Sequence, residues 1–433
     1  MLDFKKILSS IADIGQSLLG KKFSKNRDLK SLLLLCDDLI SYKGTASGIA
    51  IAREISEIYK ILDTDQKLSF FKEINKKYKP NLNNIDNAIK KFTIEKSKNN
   101  LDRLGDEIEG RRQELIRRLN MAPNGTSILV SMREDLLNFI KQNPDLKDFD
   151  QDIRHLFKSW FNPGFLRLER ITWNTKAAVL EKIIKYEKVH KIRDMNDLKR
   201  RLDEDRRFYA YFHPVLTDEP LIFVQVAFGK GLGRSIQELL KPSSGTMSTS
   251  NTATFYSISN CQEGLMRVTL GNFLIKRVVY EIQNDCPNIK CFGTLSPLPG
   301  FRKWYLALTE EKLKSILNDF DTKKLEFLKN DNFNNLSDKI EEQKNSIKKL
   351  VVHYLLKEKI NKKPLNQVSR FHLGNGASID DVIINGNTTD YGYKESFGIM
   401  VNYIYKLDKL EKIHEDYINH KIISYSDKIK KYV

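Results

Sequence analysis

The sequence predicts an α+β protein, in which an all-helical N-terminal domain is followed by a domain that mixes helices and strands. Apolar residues recur at three- and four-residue spacing through roughly the first 160 residues, as on the buried face of a helix. After Gly164 the spacing gives way to short apolar runs typical of strands, such as residues 221–228. We therefore expect a helical bundle at residues 1–163 and a second domain at residues 164–433.

Turn residues divide the second domain into alternating strands and helices. Strands are predicted at residues 208–212, 221–228, 252–259 and 289–295, and helices at 235–240 and 273–283. The strand–helix–strand unit over residues 252–295 normally makes a right-handed parallel crossover. Further along the chain, residues 371–387 are predicted to be irregular and residues 398–412 to form a helix.

The formal net charge of +17 has three interpretations. A nucleic-acid-binding protein would cluster its Lys and Arg residues, whereas here they are interleaved with Asp and Glu along the whole chain. A solvated surface is the simplest interpretation. An anionic small ligand with phosphate groups is another, because phosphates bind cations and helix N-termini. We expect no nucleic-acid partner.

The four cysteines are Cys36, Cys261, Cys286 and Cys291. None forms a C-x-x-C pair, and none lies at zinc-ligand spacing from a histidine, so we expect free thiols and no metal site. Free thiols suit a reducing compartment, and we expect a cytoplasmic location. No apolar run reaches the ~18 residues that a membrane helix needs, so no membrane contact is expected.

Three stretches of the second domain could carry chemistry. A glycine-bearing loop leads to Asn272, at the predicted N-cap of a helix, where backbone N–H groups bind phosphate. Ser296 leaves the end of a strand in a proline-stiffened turn, where ligands of parallel sheets usually bind. His372 precedes Gly-Asn-Gly. Each stretch also has a structural interpretation: a capped crossover helix, a rigid turn and a structural histidine.

A fourth stretch, residues 229–235, resembles a nucleotide-binding loop only superficially. It follows a predicted strand and precedes a predicted helix, and it reads GKGLGRS. The glycine spacing fits neither G-x-G-x-x-G nor G-x-x-x-x-G-K-[ST], which argues against a nicotinamide enzyme and against an NTPase.

Taken together, six segments resemble the malonyl-CoA decarboxylase family, in family order from about residue 165 almost to the C-terminus. They are FHPVLTDEPL (212–221), FYSISN (255–260), GNFLIKRVV (271–279), LSPLPGF (295–301), FHLGNGA (371–377) and MVNYIY (400–405). The helical N-terminal part is a weaker match of the right length and type. The resemblance implies a second domain with the GCN5-related acetyltransferase (GNAT) fold.

The resemblance also implies the site residues. The family's catalytic pair falls on Ser296 and His372, and a further active-site tyrosine falls on Tyr405. The coenzyme A loop falls on Met266, Arg267, Val268, Thr269, Leu270, Gly271 and Asn272. The family usually has a glycine where this chain has Arg267, and often an acidic or small polar residue where it has Thr269.

The implied reaction converts malonyl-CoA to acetyl-CoA and carbon dioxide through a thioester enolate. No metal or organic cofactor is expected, because the thioester carbonyl is the electron sink and coenzyme A enters as part of the substrate. His372, with a pKa near neutrality, would protonate C2. Ser296 would hydrogen-bond the malonyl carboxylate, and Tyr405 would orient one of the pair.

Alternatives remain open. An acyl-CoA N-acyltransferase could use the same fold, since fold does not determine chemistry, but it would need a site for an amine acceptor. A basic nucleic-acid-binding protein without catalysis would show steeply salt-dependent binding of DNA or RNA. A helical scaffold leaves the motifs of the second domain unexplained. The family implies a homo-oligomer, a dimer or tetramer, assembled through the helical domain.

Overall fold

The structure, a computed structural model, describes residues 4–19, 27–41, 44–241, 249–268, 270, 274–329 and 336–433. Contacts divide the chain into two compact units. The first consists of residues 1–167, 212–219 and 262–269, and the second of residues 168–211, 220–261 and 270–433. The first unit thus includes two short segments from beyond residue 163. Domains at residues 1–163 and 164–433 stay a prediction.

Helices form the first unit, as the apolar spacing predicted. They are α1 (Phe4–Leu19), α2 (Leu29–Ser41), α3 (Thr45–Ile61), α4 (Thr64–Lys77), α5 (Leu82–Ile94), α6 (Lys98–Ile108), α7 (Arg111–Asn120), α8 (Gly125–Phe139) and α9 (Lys147–Trp160). In α9, Phe149, Ile153, Leu156 and Phe157 are buried, which is the single-face spacing of an amphipathic helix. Among the described residues, no helix is long and apolar enough to cross a membrane.

The second unit mixes helices with strands. Its strands are β1 (Arg167–Ile171), β2 (Arg206–Phe212), β3 (Pro220–Gly229), β4 (Thr252–Asn260), β5 (Cys291–Thr294), β6 (Ser296–Pro297), β7 (Lys359–Ile360), β8 (Lys363–Pro364), β9 (Ser378–Ile383) and β10 (Met400–Ile404). Its helices are α10 (Ala177–Tyr186), α11 (Met195–Arg201), α12 (Ile236–Leu240), α13 (Leu274–Asp285), α14 (Phe301–Leu306), α15 (Glu310–Ile316), α16 (Asp319–Lys324), α17 (Leu336–Glu342), α18 (Lys344–Leu356), α19 (Gln367–Gly374), α20 (Asp390–Ser396), α21 (Leu410–His420) and α22 (Asp427–Lys430).

One large sheet organises this unit, in the order β1-β2-β3-β4-β5-β10-β6, with β9 also pairing with β10. β3 and β4 are antiparallel, whereas β4 and β5 are parallel and are joined through α13. The predicted strand–helix–strand unit is therefore present as a parallel pair. The predicted α+β class is confirmed, and the GNAT fold stays what the resemblance implies.

The core explains why β3 could be recognised in the sequence. All of its residues except the last are buried, so the strand is apolar apart from Gln225 rather than alternating. Beside it, one apolar cluster joins side chains from the central strands and α12: Ala227, Ile236, Tyr256, Leu295, Ile383 and Met400. Its member Leu295 directly precedes Ser296 in the chain.

Two sequence-based expectations are wrong. Residues 398–412 do not form one helix, because residues 400–404 are β10, which pairs with β5, β6 and β9. Residues 371–387 are not irregular, because α19 continues to Gly374 and β9 follows at Ser378. A short apolar run fits a buried strand and a buried helix equally well, and only the pairing partners decide between them.

Candidate active site

Ser296 is the first residue of β6, and a single residue separates it from the end of β5. It pairs with Val401 of β10, and its side chain is buried. The Oγ–H donates to Oγ1 of Thr294 at 2.8 Å, and the same Oγ lies 2.8 Å from Nε2 of His372. The serine in the turn therefore faces the interior, and a histidine lies within hydrogen-bond reach of it.

His372 lies in the last turn of α19, and its local backbone is tightly fixed. The Asn366 side chain caps the start of the helix by accepting from the backbone N–H of Ser369. At the other end the His372 carbonyl accepts from the N–H of Ala377 at 3.1 Å. The intervening Gly376 has a φ of +84°, and a Cβ there would lie 2.4 Å from the Leu410 carbonyl oxygen. The Gly-Asn-Gly signal thus marks a helix end, and glycine is required at Gly376.

Tyr405 follows β10 and reaches the other ring nitrogen of the histidine. Its backbone N–H donates to the Phe292 carbonyl at 2.9 Å, and its hydroxyl oxygen lies 2.8 Å from Nδ1 of His372. The three residues that the resemblance singled out are therefore brought together in one hydrogen-bonded line, which we call the Ser–His–Tyr row. Their catalytic roles stay a prediction.

The row is uncharged in the absence of substrate. Complete burial lowers the pKa of His372 to about 3, because the imidazolium would lose its hydration. Burial also raises the pKa of Tyr405 well above its usual value. The expected near-neutral pKa of His372 is thus wrong for the free protein. Among the described residues, no group of three His, Cys, Asp or Glu side chains could hold a metal ion.

Sequence reasoning missed two residues that support the row, Thr294 and Tyr403. The Tyr403 ring stacks on the His372 ring with centroids 4.6 Å apart, and its hydroxyl lies 2.6 Å from Ser369 Oγ. Thr294 accepts the Ser296 hydroxyl hydrogen. Each precedes a predicted site residue by two positions, and side chains two apart in a strand share a face. That spacing is the signal that could have found them.

The segment that the resemblance assigns to coenzyme A binding is described only in part. Thr269, Gly271 and Asn272, including the predicted N-cap, lie outside the described residues, whereas Met266, Arg267, Val268 and Leu270 lie within them. Arg267 is exposed and has a φ of +64°, in the left-handed region that favours glycine. This backbone conformation accounts for the glycine that the family usually has at the position.

Within the first unit, α8 holds the segment that leads into this loop. Arg133, fully buried, donates through Nη1 to the carbonyls of Gly264 at 2.6 Å and Met266 at 2.9 Å. Its Nε donates to Asp150 at 2.8 Å. Backbones approach closely here, since a Cβ on Gly264 would lie 2.0 Å from the Val130 carbonyl oxygen. The loop therefore starts from a fixed position on α8.

Comparisons with known proteins support the family resemblance of the sequence motifs. Residues 164–433 match the model of the malonyl-CoA decarboxylase C-terminal domain, and residues 78–161 match that of the N-terminal domain. The chain belongs to the malonyl-CoA decarboxylase family. The resemblance of the six segments is thereby confirmed, and the C-terminal domain of this malonyl-CoA decarboxylase family member contains the whole Ser–His–Tyr row.

Individual relatives of this family member are similar over most of its length. The mitochondrial malonyl-CoA decarboxylase of Anser anser anser is 35% identical over 358 residues, which are 77% of this chain and 71% of the goose protein. The crystal structure of malonyl-CoA decarboxylase from Rhodopseudomonas palustris aligns with a TM-score of 0.87 and 42% identity, covering 93% of this chain and 99% of that one. The Agrobacterium vitis enzyme aligns with the same TM-score and coverage at 39% identity.

Proposed function

We propose that this chain is a carboxy-lyase that converts malonyl-CoA to acetyl-CoA and carbon dioxide, with the Ser–His–Tyr row as its proton-handling group. Membership of the malonyl-CoA decarboxylase family supports the reaction. The observation that carries the assignment to the row is the 2.8 Å contact between Ser296 Oγ and Nε2 of the completely buried His372. The Tyr405 hydroxyl contacts Nδ1, the other ring nitrogen of His372.

The reaction breaks one carbon–carbon bond and forms one carbon–hydrogen bond. The electron pair of the bond between C2 and the carboxylate moves into the thioester as an enolate, and carbon dioxide leaves. One proton, taken ultimately from solvent, then adds to C2 and gives acetyl-CoA. A positioned proton donor typically contributes about 10²–10⁴ in rate to such a step.

His372 takes up that proton when substrate binds. The malonyl carboxylate brings a negative charge to an uncharged row, and a nearby negative charge raises the pKa of an imidazole. The proton adds to Nδ1, and Tyr405 turns its hydroxyl so that its oxygen becomes the acceptor. The Ser296 hydrogen turns towards the carboxylate. After carbon dioxide has left, the Nε2–H protonates C2 and the histidine is neutral again.

No cofactor takes part in this scheme, because the thioester carbonyl accepts the electron pair. Purified protein, treated with EDTA and given malonyl-CoA without amines, is therefore expected to form acetyl-CoA, followed by mass spectrometry. Ser296→Ala, measured in parallel, is expected to lose about 10²-fold or more in kcat. A requirement for added metal, or N-acylated products appearing only when an amine is supplied, would contradict the scheme.

Arg267 is proposed to contact a phosphate of coenzyme A. Such a contact would explain why an arginine, rather than a glycine, stands at a position with left-handed backbone. Arg267→Gly is expected to raise KM for malonyl-CoA by about tenfold, since a hydrogen bond to a charged group contributes about 1.5–3 kcal/mol. The free energy of unfolding should not fall, because glycine relieves a backbone cost of about 1 kcal/mol. KM for malonyl-pantetheine, which lacks the nucleotide, should be unchanged. As a control, Arg193→Ala removes another exposed positive charge.

An equal increase in KM for both substrates would show that Arg267 shapes the loop rather than contacting a phosphate. An increase for both substrates in Arg193→Ala as well would point to general electrostatics.

Self-association through the helical unit and a cytoplasmic location are also proposed. Helices α5 and α6 leave large apolar side chains exposed, and such surfaces commonly form protein contacts. These side chains are Leu82, Ile89, Ile94, Leu101 and Ile108. The four cysteines are free, which suits a reducing compartment. Native mass spectrometry would count the copies, and cell fractionation would locate the protein.

A further inference from the structure

We infer that Thr294 is a positioning residue that sets the direction of the hydrogens through the Ser–His–Tyr row. The inference rests on the proposed function, because it concerns how Ser296 and His372 are prepared for proton transfer. Neither the motifs nor the family resemblance pointed to this residue.

Thr294 is built into the sheet as a hydrogen-bond acceptor. It is 1% exposed, and its Oγ1 accepts from the backbone N–H of Tyr403 at 3.2 Å and from the hydroxyl of Ser296 at 2.8 Å. The Asn402 side-chain amide donates to the Thr294 carbonyl at 2.6 Å and to the Gly233 carbonyl at 3.1 Å. Hydrogen bonds to both its side chain and its backbone carbonyl thereby hold Thr294 in place.

A serine hydroxyl has one hydrogen, and here it is committed to Thr294. Ser296 Oγ can therefore only accept from Nε2 of His372, which requires the neutral tautomer with its hydrogen on Nε2. The bare Nδ1 must then accept the hydroxyl hydrogen of Tyr405. One threonine thus determines the direction of hydrogen-bond donation along the row: Tyr405 donates to His372, His372 to Ser296, and Ser296 to Thr294.

This direction matters for the proposed proton transfer. Both the resting tautomer and the imidazolium have a hydrogen on Nε2, and Ser296 can accept it only while its own hydrogen points elsewhere. Before substrate arrives, and again once carbon dioxide has left, Thr294 is the acceptor that holds that hydrogen. Without Thr294 the Ser296 hydrogen can turn to Nε2, reverse the row and oppose proton delivery from that nitrogen.

The variant Thr294→Val keeps the shape and removes the acceptor. We expect kcat for malonyl-CoA to fall about tenfold or more with KM little changed, because the Ser296 hydrogen loses its acceptor. The backbone N–H of Tyr403 loses its acceptor as well, and that structural change is the same whether or not Ser296 is present. Thr294→Ser restores an acceptor and should recover most of kcat. In a Ser296→Ala background the valine substitution should have no further effect, since there is no serine hydrogen to hold.

Nuclear magnetic resonance with ¹⁵N-labelled histidine gives a readout that can already be taken on the wild-type protein. Wild-type His372 should show its hydrogen on Nε2, and Thr294→Val should shift the population towards Nδ1–H. A wild-type protein with the hydrogen on Nδ1 would overturn the inference. So would a kcat loss in Thr294→Val that persists in the Ser296→Ala background, or one that Thr294→Ser does not recover, because either result indicates a structural role.

The two levels of the proposal can be separated. If Ser296→Ala loses activity and Thr294→Val does not, the inference about Thr294 is wrong and the proposed function stands. If Ser296→Ala keeps full activity, the role of the Ser–His–Tyr row in the reaction is itself wrong.

Discussion

Replacing His372 by Asn is expected to lower kcat for malonyl-CoA by at least about 10²-fold with little change in KM. The amide keeps the polarity of the side chain but cannot become a cation that gives a proton to C2. Steady-state formation of acetyl-CoA over a range of substrate concentrations separates the two constants. His420→Asn is the matched control, because His420 is exposed at the end of α21 and should be replaceable without loss.

The same variant tests the burial of the histidine through stability. In the folded protein, burial lowers the pKa of His372 from its ordinary value of 6.5 to about 3, so the unfolded chain takes up a proton first as the pH falls. The contribution of neutral His372 to stability is therefore present above pH 6.5 and is lost progressively towards pH 3. Between those values, the free energy of unfolding should fall more steeply in wild type than in His372→Asn. Parallel slopes would mean that the histidine is not buried as described.

Arg133→Met is expected to lower the free energy of unfolding by about 3–5 kcal/mol, because it removes one partner of a buried ion pair. Asp150 would be left without its cation, and the carbonyls of Gly264 and Met266 would lose their donor. Urea unfolding, followed by circular dichroism, measures the change. We also expect KM for malonyl-CoA to rise, since the start of the coenzyme A loop would no longer be fixed.

Two controls make the Arg133 result interpretable. Arg117→Met removes an arginine of the same unit that pairs with Glu109 at an exposed position, and it should change stability by at most about 1 kcal/mol. Adding Asp150→Leu to Arg133→Met should recover part of the loss, because no unpaired charge then remains. A double variant no more stable than Arg133→Met would show that the lost carbonyl contacts, rather than the unpaired Asp150, account for the loss.

The sequence predicted those elements whose pattern is decided locally. The apolar run that forms β3 is buried along nearly its whole length, and β4 and β5, which are joined through α13, are parallel, as expected. The sequence predicts a helix over the run that forms β10, because Met400 to Ile404 has no local feature that excludes one. Its strand character comes from pairing with segments as distant as β5.

The sequence predicts which three residues form the candidate site, but it does not predict their protonation states. Ser296, His372 and Tyr405 lie in motifs that a sequence displays, but each side chain is placed by a different element of the sheet domain. Neither the complete burial that neutralises His372 nor the acceptor role of Thr294 is visible in composition or spacing. Both depend on which strands lie beside one another, and a sequence specifies that only through the completed fold.

The division of the chain into units that are not consecutive has a consequence for biosynthesis. The helical unit includes residues 262–269, which emerge from the ribosome about a hundred residues after α9 ends. Until then the buried guanidinium on α8 lacks the carbonyls of Gly264 and Met266 that it binds in the finished protein. The first-made part of the molecule must therefore wait for a late segment before its last contacts form, and contacts between distant segments of a chain slow folding.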